Sequence, residues 1–377
     1  MHERFSNLIA AVPQSAIKQV ATGVIGTPTL SSDVRSVSVL TDSHAARETI
    51  AVLKITGTAL VASAETRSWS TVAKLVDLSQ EPDGWTRWTR PEIEEVVYRE
   101  RYFSEDLARF RPATCYLVSE LADGVKIFWL EDLTDIRHQP FSVSELGQMA
   151  SHLGEWSGTH LSPPPLKFDL PIDIFATRGN LPASVKAYEL SKTLEPDAFR
   201  PYYRDVPVEV LHELRSLLRE QNERAKGHPH GLAFGDCQVG NLFLGDGETV
   251  AVDWTSLASD PVGADGGAMI GSAFTWGPGV AEIAENERYL FSEYMTGLKA
   301  GGWRGNEGDL RRGYFCQFGH YLLTGIALMP VLVDRNVWPR ADLEKRFGVA
   351  WQDLADLVAP ITALLPSYVA ELRALAE

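Results

Sequence analysis

Residues 232 to 254 read Leu-Ala-Phe-Gly-Asp236-Cys-Gln-Val-Gly-Asn241-Leu-Phe-Leu-Gly-Asp-Gly-Glu-Thr-Val-Ala-Val-Asp253-Trp254. Two short apolar runs, 242–244 and 249–252, are separated by residues 245–248, which contain an Asp-Gly pair. Asp-Gly between apolar runs is a strong signal for a β-hairpin. The stretch therefore predicts two short antiparallel strands with three polar side chains close by.

With Asp246 and Gly247 at the tip of the turn, the pairing of residues between the two strands is fixed. Leu244 then pairs with Thr249 and Asn241 pairs with Val252, so Asn241 and Asp253 reach neighbouring positions at the open end. Adjacent strands lie about 5 Å apart, which lets both side chains reach one cation. The register predicts a shared metal site on Asn241 and Asp253.

Four residues separate Asp236 from Asn241, which is the D-x-x-x-x-N spacing of a kinase catalytic loop. That spacing places a carboxylate beside an incoming hydroxyl while the amide oxygen holds a metal. Phosphoryl transfer needs this division because its transition state is stabilised mainly by positioning and by Mg²⁺. A small number of hard oxygen ligands suits Mg²⁺.

The stretch resembles the aminoglycoside phosphotransferase and choline kinase family, whose signature is roughly H-G-D-x-x-x-x-N, then I-D-W and G-D-P-x-x-D. The matching residues here are Phe234-Gly235-Asp236, Asn241, Val252-Asp253-Trp254 and Ser259-Asp260-Pro261 with Asp265, and Phe234 stands where the family usually has His. The resemblance implies a two-lobed protein-kinase-like α+β fold that binds ATP, or another nucleoside triphosphate, with Mg²⁺. It implies that Asp236 orients and deprotonates an acceptor hydroxyl.

The N-terminal part reads as an antiparallel meander, with strands at 34–40, 49–56 and 70–78. Lys74 lies inside the β-branched run of the third strand, which resembles the V-A-I-K strand whose lysine grips the α and β phosphates. The alternative is a lysine on the solvent face of an alternating strand.

A helix is expected from Pro91 to about residue 103, because proline suits the first helical position and acidic residues suit the first turn. One of its glutamates should pair with Lys74. Glu94 is the choice because the family's helix commonly reads E-x-x-x-Y, matched here by Glu94 and Tyr98. Glu95 and Glu100 are the alternatives, and an ordinary solvated acidic face is the other interpretation.

Two further strands, 114–119 and 125–129, flank another Asp-Gly pair. The next residues, Glu131-Asp132-Leu133, resemble the family's connector segment, whose backbone binds adenine. The loop at 41–48 should cover the phosphates, yet it contains no glycine, which usually lets backbone approach a ligand closely.

The chain beyond residue 135 reads as mainly helical. A capping box at Ser142 and Glu145 begins one helix, and others are expected at 208–226, 281–298, 310–328 and 341–375. The glycine-rich segment 263–271 reads as a helix start packed under the catalytic loop, with Asp260 and Asp265 supporting the loop backbone. The segment 166–207 resembles a variable insertion on the substrate side.

At 377 residues the chain exceeds the roughly 250–300 residues at which single cores stop growing. We expect an N-terminal lobe at 1–133, with an antiparallel sheet and one helix on the nucleotide side, and a helical C-terminal lobe at 134–377 with the catalytic loop and acceptor site. The net charge of −15 without a local basic patch argues against nucleic-acid and anionic-membrane partners. It favours a cationic acceptor, although an ordinary acidic protein has the same charge.

Three scattered cysteines without a CxxC pair suggest a reducing, cytoplasmic compartment. The N-terminus lacks a signal-peptide core, and the longest apolar run, 321–333, is too short to cross a bilayer. The sequence gives no indication of oligomeric state.

The function expected is ATP- and Mg²⁺-dependent O-phosphorylation of a small molecule, such as an aminoglycoside, sugar or amino alcohol. A Ser/Thr kinase acting on a peptide would use the same residues, and a kinase-fold binding module is suggested by the glycine-free loop and Phe234. A metal-dependent hydrolase is the remaining alternative, because His228-Pro-His230 is an H-x-H motif, but it leaves Asn241 and Asp253 without a role.

Overall fold

The computed structural model describes residues 2–41, 49–78, 90–100, 103, 109–122, 124–136, 138, 140–162, 206–276, 280–322, 341, 344, 350 and 353–376. The chain divides into two compact units. Unit 1 comprises 1–106, 111–136 and 252–255, and unit 2 comprises 107–110, 137–251 and 256–377. The α+β class predicted from the sequence is confirmed, with an antiparallel sheet in the N-terminal part and helices dominating the C-terminal part.

Unit 1 is built on a five-stranded antiparallel sheet in the order β1-β2-β3-β6-β5. Its strands are β1 (Thr29–Thr41), β2 (Thr49–Val61), β3 (Thr66–Asp77), β5 (Cys115–Ala122) and β6 (Val125–Leu130). The short β4 (Phe110–Pro112) precedes β5 and is not part of this sheet. The predicted meander and the later hairpin are confirmed. The first three strands are longer than predicted. In β2 every second residue from Ala51 to Val61 is buried, and these residues share one face of the sheet.

Two helices that the sequence analysis did not predict cover that face: α1 (His2–Ala10) and α2 (Gln14–Ile25). The expectation of a single N-terminal helix is therefore wrong. Phe5, Ile9, Ile17 and Val20 share one apolar core with sheet residues that all point the same way: Ala51, Leu53, Ile55, Ala59, Trp69, Ala73, Leu75, Ile127 and Trp129. Strand alternation sends Lys74, between Ala73 and Leu75, to the opposite face.

The opposite face carries α3 (Pro91–Arg99), which is shorter than the predicted helix. Tyr98 of α3 packs against Phe128 of β6 with ring centroids 5.7 Å apart. Phe128 is the register partner of Lys74, so α3 lies beside that lysine.

Unit 2 is mainly helical. The helices among its described residues are α4 (Val143–Thr159), α5 (Val208–Ala225), α6 (Ala264–Trp276), α7 (Val280–Ala300), α8 (Glu307–Tyr321), α9 (Leu354–Thr362) and α10 (Leu365–Ala376). The predicted capping box is present, since Ser142 accepts from the Glu145 N–H and Glu145 accepts from the Ser142 N–H. Helix α4 packs closely on α7, where a methyl group added to Gly154 would lie 2.1 Å from the Tyr294 carbonyl oxygen.

The β elements of unit 2 are short. Strand β7 (His230–Ala233) pairs antiparallel with β10 (Ala258–Pro261), and β8 (Leu242–Leu244) pairs with β9 (Thr249–Ala251). The predicted hairpin is confirmed in its register, because Leu244 pairs with Thr249 and Leu242 with Ala251.

One prediction differs from the structure, and three others fall wholly or partly outside the described residues. The helix expected at 341–375 is two helices, α9 and α10, within the described residues. The loop at 42–48, the insertion at 166–205 and the end of the helix expected at 310–328 lie outside the described residues. Among the helices that are described, none is both long and apolar enough to span a bilayer.

Candidate functional site

Asp236 of unit 2 follows a sharp turn at the end of β7. Gly235 has φ +90°, and a Cβ placed there would lie 1.9 Å from the Ser256 carbonyl oxygen. Any side chain at Gly235 would meet both a strained conformation and a collision with backbone. The glycine before Asp236 is therefore required by the turn.

Asp265, near the start of α6, holds this turn. Its two carboxylate oxygens accept hydrogen bonds from the backbone N–H groups of Phe234 (2.8 Å) and Gly235 (3.0 Å). Phe234 is fully buried, and its ring meets Phe110 edge-on at 5.9 Å. The support expected from Asp265 is present as a bidentate contact, and the Phe234 side chain contributes packing.

The Asp236 carboxylate is fixed by two amide donors. Gln238 Nε2 donates to Asp236 Oδ2 at 2.8 Å, and Asn241 Nδ2 donates to the same oxygen at 3.2 Å. Asn241 Nδ2 also donates to the Asp236 carbonyl oxygen at 2.9 Å. Both of these contacts use the Asn241 nitrogen, so neither engages its Oδ1, which is an acceptor.

The loop continues through a single turn of 3₁₀ helix, Val239–Asn241, before β8 begins. The Val239 N–H donates to Ser272 Oγ of α6 at 3.0 Å. His138 Nε2 lies 3.3 Å from the Gly240 carbonyl oxygen. Contacts from α6 and from the segment before α4 therefore fix the backbone that leads to Asn241.

Lys74 of unit 1 binds two carboxylates. Its Nζ lies 2.7 Å from Glu94 Oε2 and 3.1 Å from Asp253 Oδ1. Glu94 is fully buried, and the Lys74 side chain is only 9% exposed. Burial opposes the charge on Lys74, but Asp253 and Glu94 outweigh it and raise the pKa of the lysine, which therefore stays protonated.

The pairing predicted between Lys74 and Glu94 is thus confirmed as a contact. The first alternative, Glu95, binds Lys126 and Arg99 instead, each at 2.5 Å. The second alternative, Glu100, is exposed at the end of α3. Glu94 and Glu95 differ by about 100° around the helix, so they face different lysines of the sheet, Lys74 on β3 and Lys126 on β6.

Asp253 has a strained backbone and a half-exposed side chain. Its φ is +67°, a region that costs a non-glycine residue of order 1 kcal/mol or more. Thr255 Oγ1 donates to Asp253 Oδ1 at 2.9 Å. Burial alone would raise the pKa of Asp253, but Lys74 and the Thr255 hydrogen bonds outweigh burial and lower it. The side chain is held as a carboxylate.

The connector residues belong to unit 1. The Glu131 carboxylate accepts hydrogen bonds from Arg111 at 2.8 Å and from the Thr114 N–H at 3.0 Å. The backbone N–H of Glu131 donates to the Thr114 carbonyl oxygen at 2.8 Å. Asp132 binds Lys54 at 2.9 Å and also accepts from Ser70. Burial opposes the ionised form of Asp132, yet these bonds bring its pKa to about 2. Both acidic side chains therefore fix the connector itself.

The His-x-His motif shows no sign of a metal site. His230 Nδ1 bonds the His228 carbonyl, and His228 Nδ1 lies 3.2 Å from Asp309. Within the part of the chain that the structure describes, no three His, Cys, Asp or Glu side chains cluster as ligands for a metal ion. The observed contacts give the hydrolase alternative no support.

Three polar side chains at the site were not predicted from the sequence: Gln238 on Asp236, Thr255 on Asp253 and His138 on Gly240. Gln238 and Thr255 each lie two residues from a predicted site residue, and that spacing was the available signal. His138 lies about a hundred residues away from Gly240, so no local pattern could reveal it.

No family model matches the sequence, and no curated protein matches it. Similar solved structures include a choline kinase from Cryptosporidium parvum, at 14% identity and TM-score 0.48 over 92% of this chain and 94% of that chain. A spectinomycin phosphotransferase in complex with ADP and spectinomycin has 13% identity and TM-score 0.47, over 93% and 99% of the two chains.

An amicoumacin kinase in complex with AMP-PNP and Ca²⁺ has 11% identity and TM-score 0.46, over 97% of this chain and 96% of that chain. Aminoglycoside phosphotransferases and choline kinases, which the motifs of this chain resemble, thus recur among the similar structures. All three of these TM-scores lie below 0.5.

Proposed function

We propose that this protein is a small-molecule kinase that transfers the terminal phosphoryl group of ATP, or another nucleoside triphosphate, to an acceptor hydroxyl. The observation that carries the proposal is the buried Lys74 in unit 1, whose Nζ lies 2.7 Å from Glu94 and 3.1 Å from Asp253. A protonated lysine that is fixed by a helical glutamate is the arrangement with which kinases hold the α and β phosphates.

The donor set suits Mg²⁺. Asn241 directs its nitrogen to Asp236, which leaves its carbonyl oxygen as a ligand. Asp253 is held as a carboxylate, whose Oδ1 lies 3.1 Å from Lys74 Nζ and accepts a hydrogen bond from Thr255 Oγ1. These are hard oxygen ligands of the kind that Mg²⁺ prefers, with substrate phosphates supplying others. Asn241 and Asp253 are accordingly the proposed metal ligands.

The chain's own residues then have distinct tasks. Asp236, oriented by Gln238 and Asn241, accepts the proton of the acceptor hydroxyl as the oxygen attacks the γ-phosphorus and the bond to the bridging oxygen of ADP breaks. Lys74 binds phosphate oxygens of the nucleotide. When bound, Mg²⁺ would neutralise charge on the phosphates.

The connector is the proposed adenine site. The Glu131 N–H and the Leu133 carbonyl already bond Thr114 and Ile136, respectively. The Glu131 carbonyl and the Leu133 N–H remain for the adenine edge, since neither bonds another described residue. Fixing the connector through Asp132 and Lys54 would reduce the ordering cost of nucleotide binding.

The acceptor is proposed to be a small molecule with a hydroxyl group, and the net charge of −15 favours a cationic one. A cytoplasmic location is proposed from the three free cysteines. A Ser-containing peptide is the second candidate acceptor, because the same carboxylate would serve a serine hydroxyl.

The test is ATP consumption with Mg²⁺ against a panel of amino sugars, amino alcohols, hydroxylated antibiotics and Ser-containing peptides. Asp236→Asn should lower turnover by about 10²- to 10⁴-fold, the range attributed to a positioned general base. Asp246→Asn, at the exposed hairpin turn, is the matched control and should keep full turnover. Wild-type turnover in Asp236→Asn would contradict the mechanism, and the absence of a thermal shift with millimolar Mg²⁺-ATP would favour a binding module.

A further inference from the structure

His138 of unit 2 contacts the loop on both sides of Asn241. Its ring stacks on Phe243 with centroids 4.6 Å apart and an angle of 18° between the planes. Its Nε2 lies 3.3 Å from the carbonyl oxygen of Gly240. Gly240 immediately precedes Asn241, and Phe243 follows it by two residues.

The hydrogen bond has a defined direction. A carbonyl oxygen only accepts, so Nε2 of His138 carries the hydrogen and donates it. The half-buried ring is also met edge-on by Phe141, at 6.3 Å between centroids. The ring is therefore held by three partners and is a rigid contact for the loop.

The loop needs such a contact at this end. Asp265 fixes its start at Phe234 and Gly235, and Ser272 fixes Val239, but both of these partners belong to α6. At the far end, His138 bonds the carbonyl of Gly240, from a different part of the chain. A shift of Gly240 would move the Asn241 side chain, which bonds Asp236 in turn.

We propose that His138 is a positioning residue, which sets the place of the Asn241 amide oxygen and thereby the affinity for Mg²⁺ with nucleotide. The inference rests on the proposed function, since it assumes that Asn241 is a metal ligand. Groups that orient metal ligands in this way commonly affect metal affinity or activity about 10- to 100-fold.

The experiment separates the two contacts of the ring. His138→Phe keeps an aromatic ring for stacking on Phe243 and removes the hydrogen bond, whereas His138→Gln retains an amide nitrogen donor near the position of Nε2. His228→Phe and His228→Gln are the matched controls, because the His228 ring faces Asp309 on α8 instead.

The Mg²⁺ concentration that gives half of the thermal shift with AMP-PNP is measured for each variant, together with kcat, the KM for the acceptor and the melting temperature without ligand. For His138→Phe we expect about a 10-fold or greater rise in half-saturating Mg²⁺ and a comparable fall in kcat, at unchanged acceptor KM. His138→Gln should recover most of both, and the controls should equal wild type.

The inference is overturned if His138→Phe folds and keeps the wild-type Mg²⁺ requirement, or if its kcat falls only in proportion to folded protein. Should that variant fail to fold, Phe243→Leu removes the stack while leaving the ring, and an unchanged Mg²⁺ requirement there also overturns it. Loss of the proposed function would show differently, as a wild-type protein that gives no Mg²⁺-dependent shift and no turnover.

Discussion

Replacing Lys74 by methionine tests the buried ion pair on which the proposed nucleotide site depends. Methionine keeps the apolar length of the side chain and removes its charge. Glu94, which is fully buried and 2.7 Å from Lys74 Nζ, then loses its cationic partner. Asp253 loses the contact of 3.1 Å as well, although its side chain is 39% exposed and water replaces part of that interaction.

The size of the effect follows from the burial of Glu94. Removing one partner of a buried ion pair costs about 3–5 kcal/mol, because the remaining charge is uncompensated in a medium that solvates it poorly. We expect Lys74→Met to lower the free energy of unfolding of unit 1 by an amount in this range at pH 8. The double variant Lys74→Met/Glu94→Gln should recover most of the loss, since it has no buried charge.

The deficit should also depend on pH. Burial raises the pKa of Glu94, and the charge of Lys74 opposes that rise. Without Lys74 the folded-state pKa rises further above the unfolded value. A carboxyl group with a raised pKa stabilises the fold at low pH and loses that contribution as the pH rises through the folded pKa. The deficit of Lys74→Met should therefore be larger at pH 8 than at pH 5.

Urea unfolding of the wild type, both single variants and the double variant at pH 5 and pH 8 measures these differences. Trp69 and Trp129, buried in unit 1, provide the fluorescence signal. Glu94→Gln alone is the matched control, because it leaves the lysine with Asp253. A loss in the free energy of unfolding below about 1 kcal/mol that is equal at the two pH values would refute the reasoning, since a buried unpaired carboxylate destabilises a fold by more than that.

Two further predictions concern unit 2. His152 is buried, with Nδ1 3.0 Å from Thr249 Oγ1, and burial together with the charge of Arg109 lowers its pKa to about 4. The neutral His152 side chain contributes its full stability above pH 6.5, and up to about 3 kcal/mol of that contribution is lost as the pH falls toward 4. In urea titrations, acid should therefore lower the free energy of unfolding more for the wild type than for His152→Gln. Gly154→Ala should lower the free energy of unfolding by about 1–3 kcal/mol, because the added methyl group lies 2.1 Å from a backbone oxygen of α7. Gly227→Ala is the control: its added methyl group has its nearest neighbour at 3.6 Å, so the melting temperature should stay nearly unchanged.

Local patterns predicted much of the secondary structure. The Asp-Gly turn gave the β8–β9 hairpin with its register, and Ser142 with Glu145 gave the start of α4. Both signals act over a few residues, where turn and capping chemistry decide the backbone without help from the rest of the chain. The pairing of Lys74 with Glu94 was predicted by combining such local signals with the family resemblance.

Helices α1 and α2 were not predicted from the sequence. Buried residues of this N-terminal segment do recur at helical spacing: Phe5, Ile9 and Val12, then Ile17 and Val20. Its helices are stabilised by burial against the sheet, so their partner lies dozens of residues away. The lobe boundary predicted at 133 and 134 and the roles assigned to Glu131, Asp132 and Leu133 stay predictions.

The sequence by itself determined which residues of 232–254 are proposed to carry the chemistry, because spacing along one hairpin and one loop is a local property. The tertiary structure decided what the local patterns left open: Glu94 rather than Glu95 or Glu100 on Lys74, and His138 on Gly240, which no local pattern indicated. These contacts join residues 20 and 102 positions apart. They depend on how helices and strands pack, which local propensity does not specify.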